Sequence, residues 1–286
     1  MARVKPRLPS PVTELRDELL TGVTVFLKRD DLIHPEFPGN KWRKLKGNIE
    51  AARECGAVVT FGGAYSHHIR AVAAAGARFG LRTTGFIRGE EHLPLNETLA
   101  YAVARGMELH YLDRTTYRAK NDPEFLAGLR ARFGEFHLIP EGGSNALGVR
   151  GCTEIVAELD FAYDVVCCAC GTGGTLAGIA RALPADRQAL GFSVLKGGGF
   201  LRDDVARLQR AAFGEATGNW SIELGYHFGG YAKQNNALTG FIREFEAKHG
   251  LTLDRVYEAK MMYGLYDLVR QGKFAPGTRI VAVIAG

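Results

Sequence analysis

The chain has 286 residues, 46% hydrophobic and 23% charged, enough for one large core or two modest ones. No apolar stretch approaches the ~20 residues of a membrane span, and basic Met1–Arg7 has no apolar run behind it, so a soluble, cytoplasmic chain without a secretory signal is expected. The net charge of +5 is scattered rather than gathered in a basic arm or aromatic-interleaved patch, which argues against nucleic acid as a partner.

The first chemically informative run is Pro38-Gly39-Asn40-Lys41-Trp42-Arg43-Lys44-Leu45, just after Leu27–Asp31. It holds one lysine between a Gly-Asn turn and an amphipathic helix. Such a lysine can form an imine with an aldehyde when its surroundings keep part of it neutral. The competing reading is a solvated helix face, because Lys41 is one of four cations in six residues.

Beyond it, short apolar runs alternate with Gly- or Ser-rich turns and helix-period segments. Ala57–Phe61 reads as a strand, followed by Gly62-Gly63 and a helix from about Ser66 to Phe79. Strand Thr83–Ile87 precedes a helix over Glu97–Arg105, and Leu109–Leu112 precedes one over Glu124–Phe133. Phe136–Ile139 leads into Gly142–Asn145 and a helix to about Leu159. Val165–Ala169 leads into Gly171–Thr175 and a helix to about Leu183. Leu190–Leu195 precedes Gly197–Gly199, and a helix over Tyr257–Arg270 is followed by strand Arg279–Ile284. This alternation predicts an α/β fold of parallel sheets covered by helices. Residues 48–147 are expected to form a smaller α/β domain, with 1–47 and 148–286 forming a larger one. Ligands in such folds bind beyond the carboxyl ends of the strands, where the Gly-rich turns lie.

Five cysteines, Cys55, Cys152, Cys167, Cys168 and Cys170, make an odd count that argues against a disulfide framework. Cys167 and Cys170 have CxxC spacing. They fall in an apparent buried strand, where residues three apart point to opposite faces, so a shared metal is poor geometry and small core residues are the better reading.

Three turns carry candidate chemistry. Cys170-Gly171-Thr172-Gly173-Gly174-Thr175 lies between a strand and a helix, and its converging amides, the helix dipole and two hydroxyls would form a cup for a phosphate. It is neither a dinucleotide fingerprint, since Leu176 stands where the last glycine is needed, nor a Walker A loop. A helix-entry turn with no ligand is the alternative. Phe61–His68 places Ser66 as an N-cap or as a ligand contact at the strand tips. His67 and His68 diverge by about 100° on a helix and cannot easily share a metal. Tyr257-Glu258 offers a phenol and a carboxylate, or only the usual acidic preference of a first helical turn.

The joint order of these runs is specific. Gly39-Asn40-Lys41-x-Arg43-Lys44-Leu45, Gly62-Gly63-Ala64-Tyr65-Ser66-x-His68, Gly142–Gly148, the Gly171–Thr175 loop, Ser193–Gly198 and Val256-Tyr257-Glu258-x-Lys260 together resemble the 1-aminocyclopropane-1-carboxylate deaminase/D-cysteine desulfhydrase family. The resemblance runs from about Leu27 to the end of the sequence. It implies the two-domain tryptophan-synthase-β-like fold of pyridoxal-phosphate enzymes, with the cofactor between the domains and a homodimer as the usual assembly. It makes Lys41 the Schiff-base lysine. It assigns the phosphate to Gly171, Thr172, Gly173, Gly174 and Thr175, and the pyridine nitrogen to Glu258. Asn40, Ser66, His68, Tyr231 and Tyr257 would face a small amino-acid substrate, with Ser66 beside its carboxylate and the phenols relaying protons. A carboxylate at the pyridine nitrogen strengthens the ring as an electron sink.

The sequence departs from the family at His67, where relatives usually have Asn near the cofactor's ring hydroxyl. It also departs after Ile284-Ala285-Gly286, where relatives continue through a His-Thr/Leu-Gly-Gly segment. Glu258 and Ile284 resemble the deaminase combination, whereas the Gly-Ala-Tyr-Ser loop resembles the desulfhydrases. The implied activity is cleavage of a 1-aminocyclopropane-1-carboxylate-type amino acid to a 2-oxo acid and ammonia. The alternatives are D-cysteine desulfhydration, a catalytically inactive cofactor-binding member, and a β-replacement synthase.

Overall fold

A computed structural model of the chain describes residues 5–37 and 39–285. Pro38, which opens the Lys41 run, and Gly286 lie outside them. In chain order the elements are β1 (Val12–Leu15), β2 (Val23–Arg29), α1 (Asn40–Ala52), β3 (Ala57–Gly63), α2 (His67–Phe79), β4 (Arg82–Arg88), α3 (Glu97–Ala104), β5 (Met107–Leu112), α4 (Arg114–Arg118), α5 (Pro123–Phe133) and β6 (His137–Ile139). There follow α6 (Ala146–Cys152), α7 (Glu154–Ala157), β7 (Val165–Cys170), α8 (Gly174–Ala182), β8 (Gln188–Ser193), α9 (Leu201–Phe213), β9 (Trp220–Glu223), α10 (Asn236–His249), α11 (Glu258–Arg270) and β10 (Thr278–Ile284).

The strands form two sheets, ordered β5-β4-β3-β6 and β1-β2-β10-β7-β8-β9. The smaller is parallel throughout. The larger corrects the all-parallel expectation, because β1 pairs antiparallel with β2, with Val12 opposite Lys28. Such a hairpin can close through a short connection, whereas a parallel pair needs a long crossover. Each sheet has one point where the chain reverses its direction of addition: after β3 it moves outward to β4 and β5 and returns at β6, and after β7 it moves outward to β8 and β9 and returns at β10. Switch points open crevices at the carboxyl ends of their strands, so the geometry directs attention to the ends of β3, β6, β7 and β10.

The larger sheet is buried on both faces, as its near-continuous apolar strands require. One face packs Val149, Ile155, Leu176, Ile179, Val205 and Leu208; the other packs Leu238, Phe245, Met261, Met262 and Leu265. Strand alternation sends Cys168 and Cys170 to the first face and Cys167 to the second, so Cys167 and Cys170 sit on opposite sides of the sheet. All five thiols are free. No helix among the described residues is long and apolar enough to cross a membrane.

Local chemistry sets the boundaries. Asn235 caps α10 by accepting from Leu238 N at 3.0 Å, and Gly250, at φ 62°, ends it. The helix expected to run to Leu159 breaks into α6 and α7 at Thr153, whose hydroxyl and amide both turn back to Arg150 O, at 2.7 and 3.2 Å. The strand expected over Leu190–Leu195 runs instead from Gln188 to Ser193. Its last two residues leave the ladder, where the Ser193 hydroxyl oxygen accepts from Leu195 N at 3.2 Å.

A buried ionic cluster ties these parts together. Arg43, fully buried on α1, donates to both oxygens of Asp30 at 2.7 and 2.8 Å and to both oxygens of Glu158 at 2.8 Å. Lys28 Nζ, also buried, donates to Glu158 at 2.6 Å and to Ser10 O at 2.8 Å, and the Ser10 hydroxyl donates to Asp30 at 2.6 Å. Two cations thus face two carboxylates. Burial pushes the Glu158 carboxyl up, but hydrogen bonds from Arg43 and Lys28 outweigh it and hold the group at about 2 against an ordinary 4.5.

Replacing Arg43 by Met leaves these carboxylates short of a partner. Urea unfolding should show a loss of about 3–5 kcal/mol. Because the Glu158 value is depressed in the fold, its stabilisation is fully present above about pH 4.5 and lost as the pH falls toward 2. The stability gap between wild type and Glu158→Gln should therefore close across that window in acid titrations followed by circular dichroism.

Candidate active site

The carboxyl ends of β3, β6, β7 and β10 line a cleft of about 760 Å³. Asn40, Lys41, Ser66, His67, His68, the loop Gly171–Thr175, Tyr231, Tyr257 and Glu258 all border it. The residues singled out from the sequence therefore converge on one cavity, although they span more than two hundred positions.

Lys41 is the second residue of α1. Its Nζ donates to Asn40 Oδ1 at 2.6 Å, and Asn40 Nδ2 donates to Thr175 Oγ1 at 3.1 Å, so one amide side chain links the amine to the glycine loop. Desolvation, reinforced by the Lys44 charge and opposed by Glu258 and Asp254, lowers the Lys41 amine to about 8. The solvated-face alternative is excluded: Arg43 and Lys44 are buried and Lys41 and Lys46 half-buried. Gly39, at φ 61°, precedes this turn. A Cβ there would lie 1.3 Å from the Ala285 carbonyl oxygen, so the end of β10 packs directly against the turn that presents Lys41.

The glycine loop has the features of an anion cup. Gly173 takes φ 76° at the N-cap, and α8 starts at Gly174, leaving first-turn amides directed at the cleft. Side chains are barred here by neighbours. A Cβ at Gly174 would lie 2.5 Å from Ser144 Oγ, and one at Gly171 would lie 3.0 Å from the Tyr257 ring.

Across the cleft, Ser66 caps α2, accepting from Ile69 N at 3.4 Å, and also borders the cavity. His67 turns toward the larger sheet, its Nε2 3.9 Å from Asp254 Oδ2. His68 is buried. The Thr60 hydroxyl donates to Ile139 O at 2.7 Å, so at 2.8 Å it accepts from His68 Nε2, which fixes the proton on that nitrogen. Nδ1 is then a buried acceptor with no partner among the described residues. Desolvation, then the Lys41 and Lys44 charges, lowers this imidazole to about 3, so it is neutral at working pH.

Glu258 opens α11. Its carboxyl oxygens accept from Asp254 N at 3.0 Å and Ala285 N at 3.1 Å, while Asp254 Oδ1 accepts from the amides of Val256 and Tyr257 at 3.0 and 2.7 Å. This reciprocal capping explains an acid in the first turn and also holds it in the site. Burial, then the Asp254 charge, raises the Glu258 pKa against the opposing pull of Lys41. The Tyr257 phenol is likewise held protonated by burial and by its neighbour Tyr231. The two rings meet edge to face with centroids 6.0 Å apart.

Sequence reasoning missed Lys44 and Ser144 as parts of the site. Lys44 Nζ donates to Gly142 O at 3.0 Å and Ser144 Oγ at 3.3 Å, and Ser144 Oγ lies 2.6 Å from Thr172 Oγ1, so a second buried amine reaches the glycine loop through a hydroxyl. Both residues stand inside runs quoted above. Their convergence depends on a spatial contact between residues about a hundred positions apart, which no local pattern encodes. Arg88 and Lys120 add positive charge at the mouth, Lys120 facing Glu141 at 3.4 Å.

The chain is similar to known proteins over most of its length. A relative from Pyrococcus horikoshii named "Putative 1-aminocyclopropane-1-carboxylate deaminase" is 31% identical over 281 residues, covering 93% of this chain and 85% of the relative. A protein of Yersinia pestis named "D-cysteine desulfhydrase" is 30% identical over 290 residues, covering 93% and 87%. A crystal structure described as an ACC deaminase homologue superposes with a TM-score of 0.85 at 27% identity, covering 99% of this chain and 90% of the other. Residues 6–286 match the family described as "Pyridoxal-phosphate dependent enzyme", and the chain belongs to that family.

Proposed function

We propose that this enzyme cleaves a small amino acid of the 1-aminocyclopropane-1-carboxylate type to a 2-oxo acid and ammonia. One observation carries the reading: a partly neutral buried amine, Lys41, is joined through Asn40 to a glycine cup and faces the buried carboxyl of Glu258. These residues fit pyridoxal phosphate, since the cup excludes side chains at Gly171 and Gly174 and the amine and carboxyl lie on the same cavity. The cofactor would be held covalently by Lys41, at its phosphate by Gly171–Thr175, and at its ring nitrogen by Glu258. When bound it supplies an electron sink for the substrate's α-carbon.

The protein's part is to hold and move protons. Glu258, raised by burial, carries the proton that a ring nitrogen needs. Lys41 Nζ, near its midpoint around pH 8, can take and return a proton at carbon. The Tyr257 phenol, held protonated by burial, and the Tyr231 phenol beside it offer proton donors to the cleft. Ser66 and the N-terminus of α2 would orient the substrate carboxylate. Neutral His68, its Nδ1 without a donor among the described residues, would accept from a donor on the substrate side.

Likeness to a protein named D-cysteine desulfhydrase supports a second substrate, a D-amino acid with a β leaving group. Under the same reading residues 48–147 form a smaller α/β domain, and 1–47 with 148–286 form a larger one. The five free thiols support a reducing, cytoplasmic setting, and a homodimer is the assembly we infer for an enzyme of this size.

The purified protein should be yellow, and Lys41→Ala should be colourless; an unchanged visible spectrum in that variant would remove Lys41 from its role. Stripped protein should recapture cofactor faster as the pH rises, levelling off above about 8, because only the neutral amine attacks. With 1-aminocyclopropane-1-carboxylate the holoenzyme should release ammonia and a 2-oxo acid. Sulfide from D-cysteine without that reaction would transfer the assignment to the second substrate, and no turnover of either would defeat both.

A further inference from the structure

We propose that Lys260 is a positioning residue for Tyr231: its buried ammonium locks the turn that presents this phenol to the cleft. The inference rests on the proposed reading of the cleft, and it concerns a lysine that the chemistry above leaves without a task.

Lys260 is the third residue of α11 and is fully buried. Its Nζ donates to His227 O at 2.9 Å and Gly230 O at 2.7 Å. The same two carbonyls also accept backbone amides, from Gly230 N at 3.0 Å and Lys233 N at 3.1 Å. The ammonium thus reinforces both hydrogen bonds that define the turn. The turn needs reinforcement. Phe228, Gly229, Gly230 and Ala232 take φ values of 52, 98, 126 and 56°. Glycine tolerates this region, whereas Phe and Ala do not favour it. Tyr231 sits between Gly230 and Ala232, so its direction depends on holding that backbone against local preference.

The choice of a cation for this task is costly. Among the described residues no carboxylate pairs with Lys260. Burial lowers its amine to about 8, and the charge of Asp254 only partly offsets this. A methionine of similar length would fill the space without desolvating a charge. What an apolar side chain cannot do is bond two carbonyls at once. The location is also informative, because Tyr257 and Glu258 stand three and two residues earlier at the start of the same helix. One rigid helical turn therefore carries one phenol, the buried acid, and the cation that aims the second phenol, and it fixes the 6.0 Å edge-to-face approach of the two rings.

Lys260→Met, Tyr231→Phe and the double variant test this as holoenzymes, with hydrogen exchange measured at residues 229–233 and steady-state kinetics on 1-aminocyclopropane-1-carboxylate and D-cysteine. Lys260→Met should keep the visible spectrum and a cooperative melt. Its Gly230 and Lys233 amides should exchange at least about tenfold faster, and its kcat should fall at least about tenfold with KM little changed, as expected when a proton donor is misdirected. The double variant should be no slower than the slower single variant, since both changes remove one function. Unchanged exchange in Lys260→Met, or losses that multiply in the double variant, would overturn the proposal. Should Lys260→Met fail to fold, Lys260→Gln, which shortens the side chain and removes the charge, decides in its place: faster exchange at Gly230 and Lys233 than in the wild type supports the clamp, and unchanged exchange refutes it. Should the wild-type enzyme turn over neither substrate, the functional reading fails, while the exchange comparison still decides the role of Lys260.

Discussion

Everything in the cleft depends on where α1 begins, and that is set by the Arg43 guanidinium. Two residues after Lys41, it is bonded to both oxygens of Asp30 at the end of β2 and to both oxygens of Glu158 just after α7. A buried cation in such a place adds little net stability compared with a well-packed apolar residue, but it is geometrically demanding, because a planar fork bonded to two carboxylates admits few orientations. The result is a helix start whose position is fixed from two directions, with the amine of Lys41 one turn of chain away.

The electrostatics of the cleft follow from the same crowding of charge. Burial and the Lys44 charge depress Lys41, and burial, aided by both lysine charges, keeps His68 neutral, while burial and Asp254 keep the Glu258 proton in place. Groups that would be fully ionised in water are held close to a balance point on both sides. Acid–base work near neutral pH needs that condition, and here burial and neighbouring charges supply it.

Local chemistry made the turns readable. Glycines that must avoid a Cβ, a serine cap before α2, and a Tyr-Glu pair opening α11 each leave a mark within six residues, and their order carried the family resemblance. Long-range contacts left no such mark. Arg43 and Lys44 read as part of a basic stretch because their partners, Glu158 and the Gly142–Ser144 turn, lie about a hundred residues away. Helices α9 and α10 and strand β9 do not stand out in the sequence pattern, although Gly197–Gly199 lies just before α9. The break between α6 and α7 turns on one threonine hydroxyl, and the antiparallel β1 on a short hairpin with no Asn-Gly or Asp-Gly mark.

The contact between Gly39 and Ala285 bears on the order in which the molecule can be assembled. Strand β10 is the latest of the described strands in sequence, yet it lies in the middle of the larger sheet, between β2 and β7. A nascent chain therefore has no strand joining β2 to β7 until residues 278–284 have emerged. Only then can the turn at Gly39 find the backbone it packs against and Glu258 the amide of Ala285 that it accepts from. Strand order alone thus makes the surroundings of Lys41 and Glu258 depend on one of the latest described segments of the sequence.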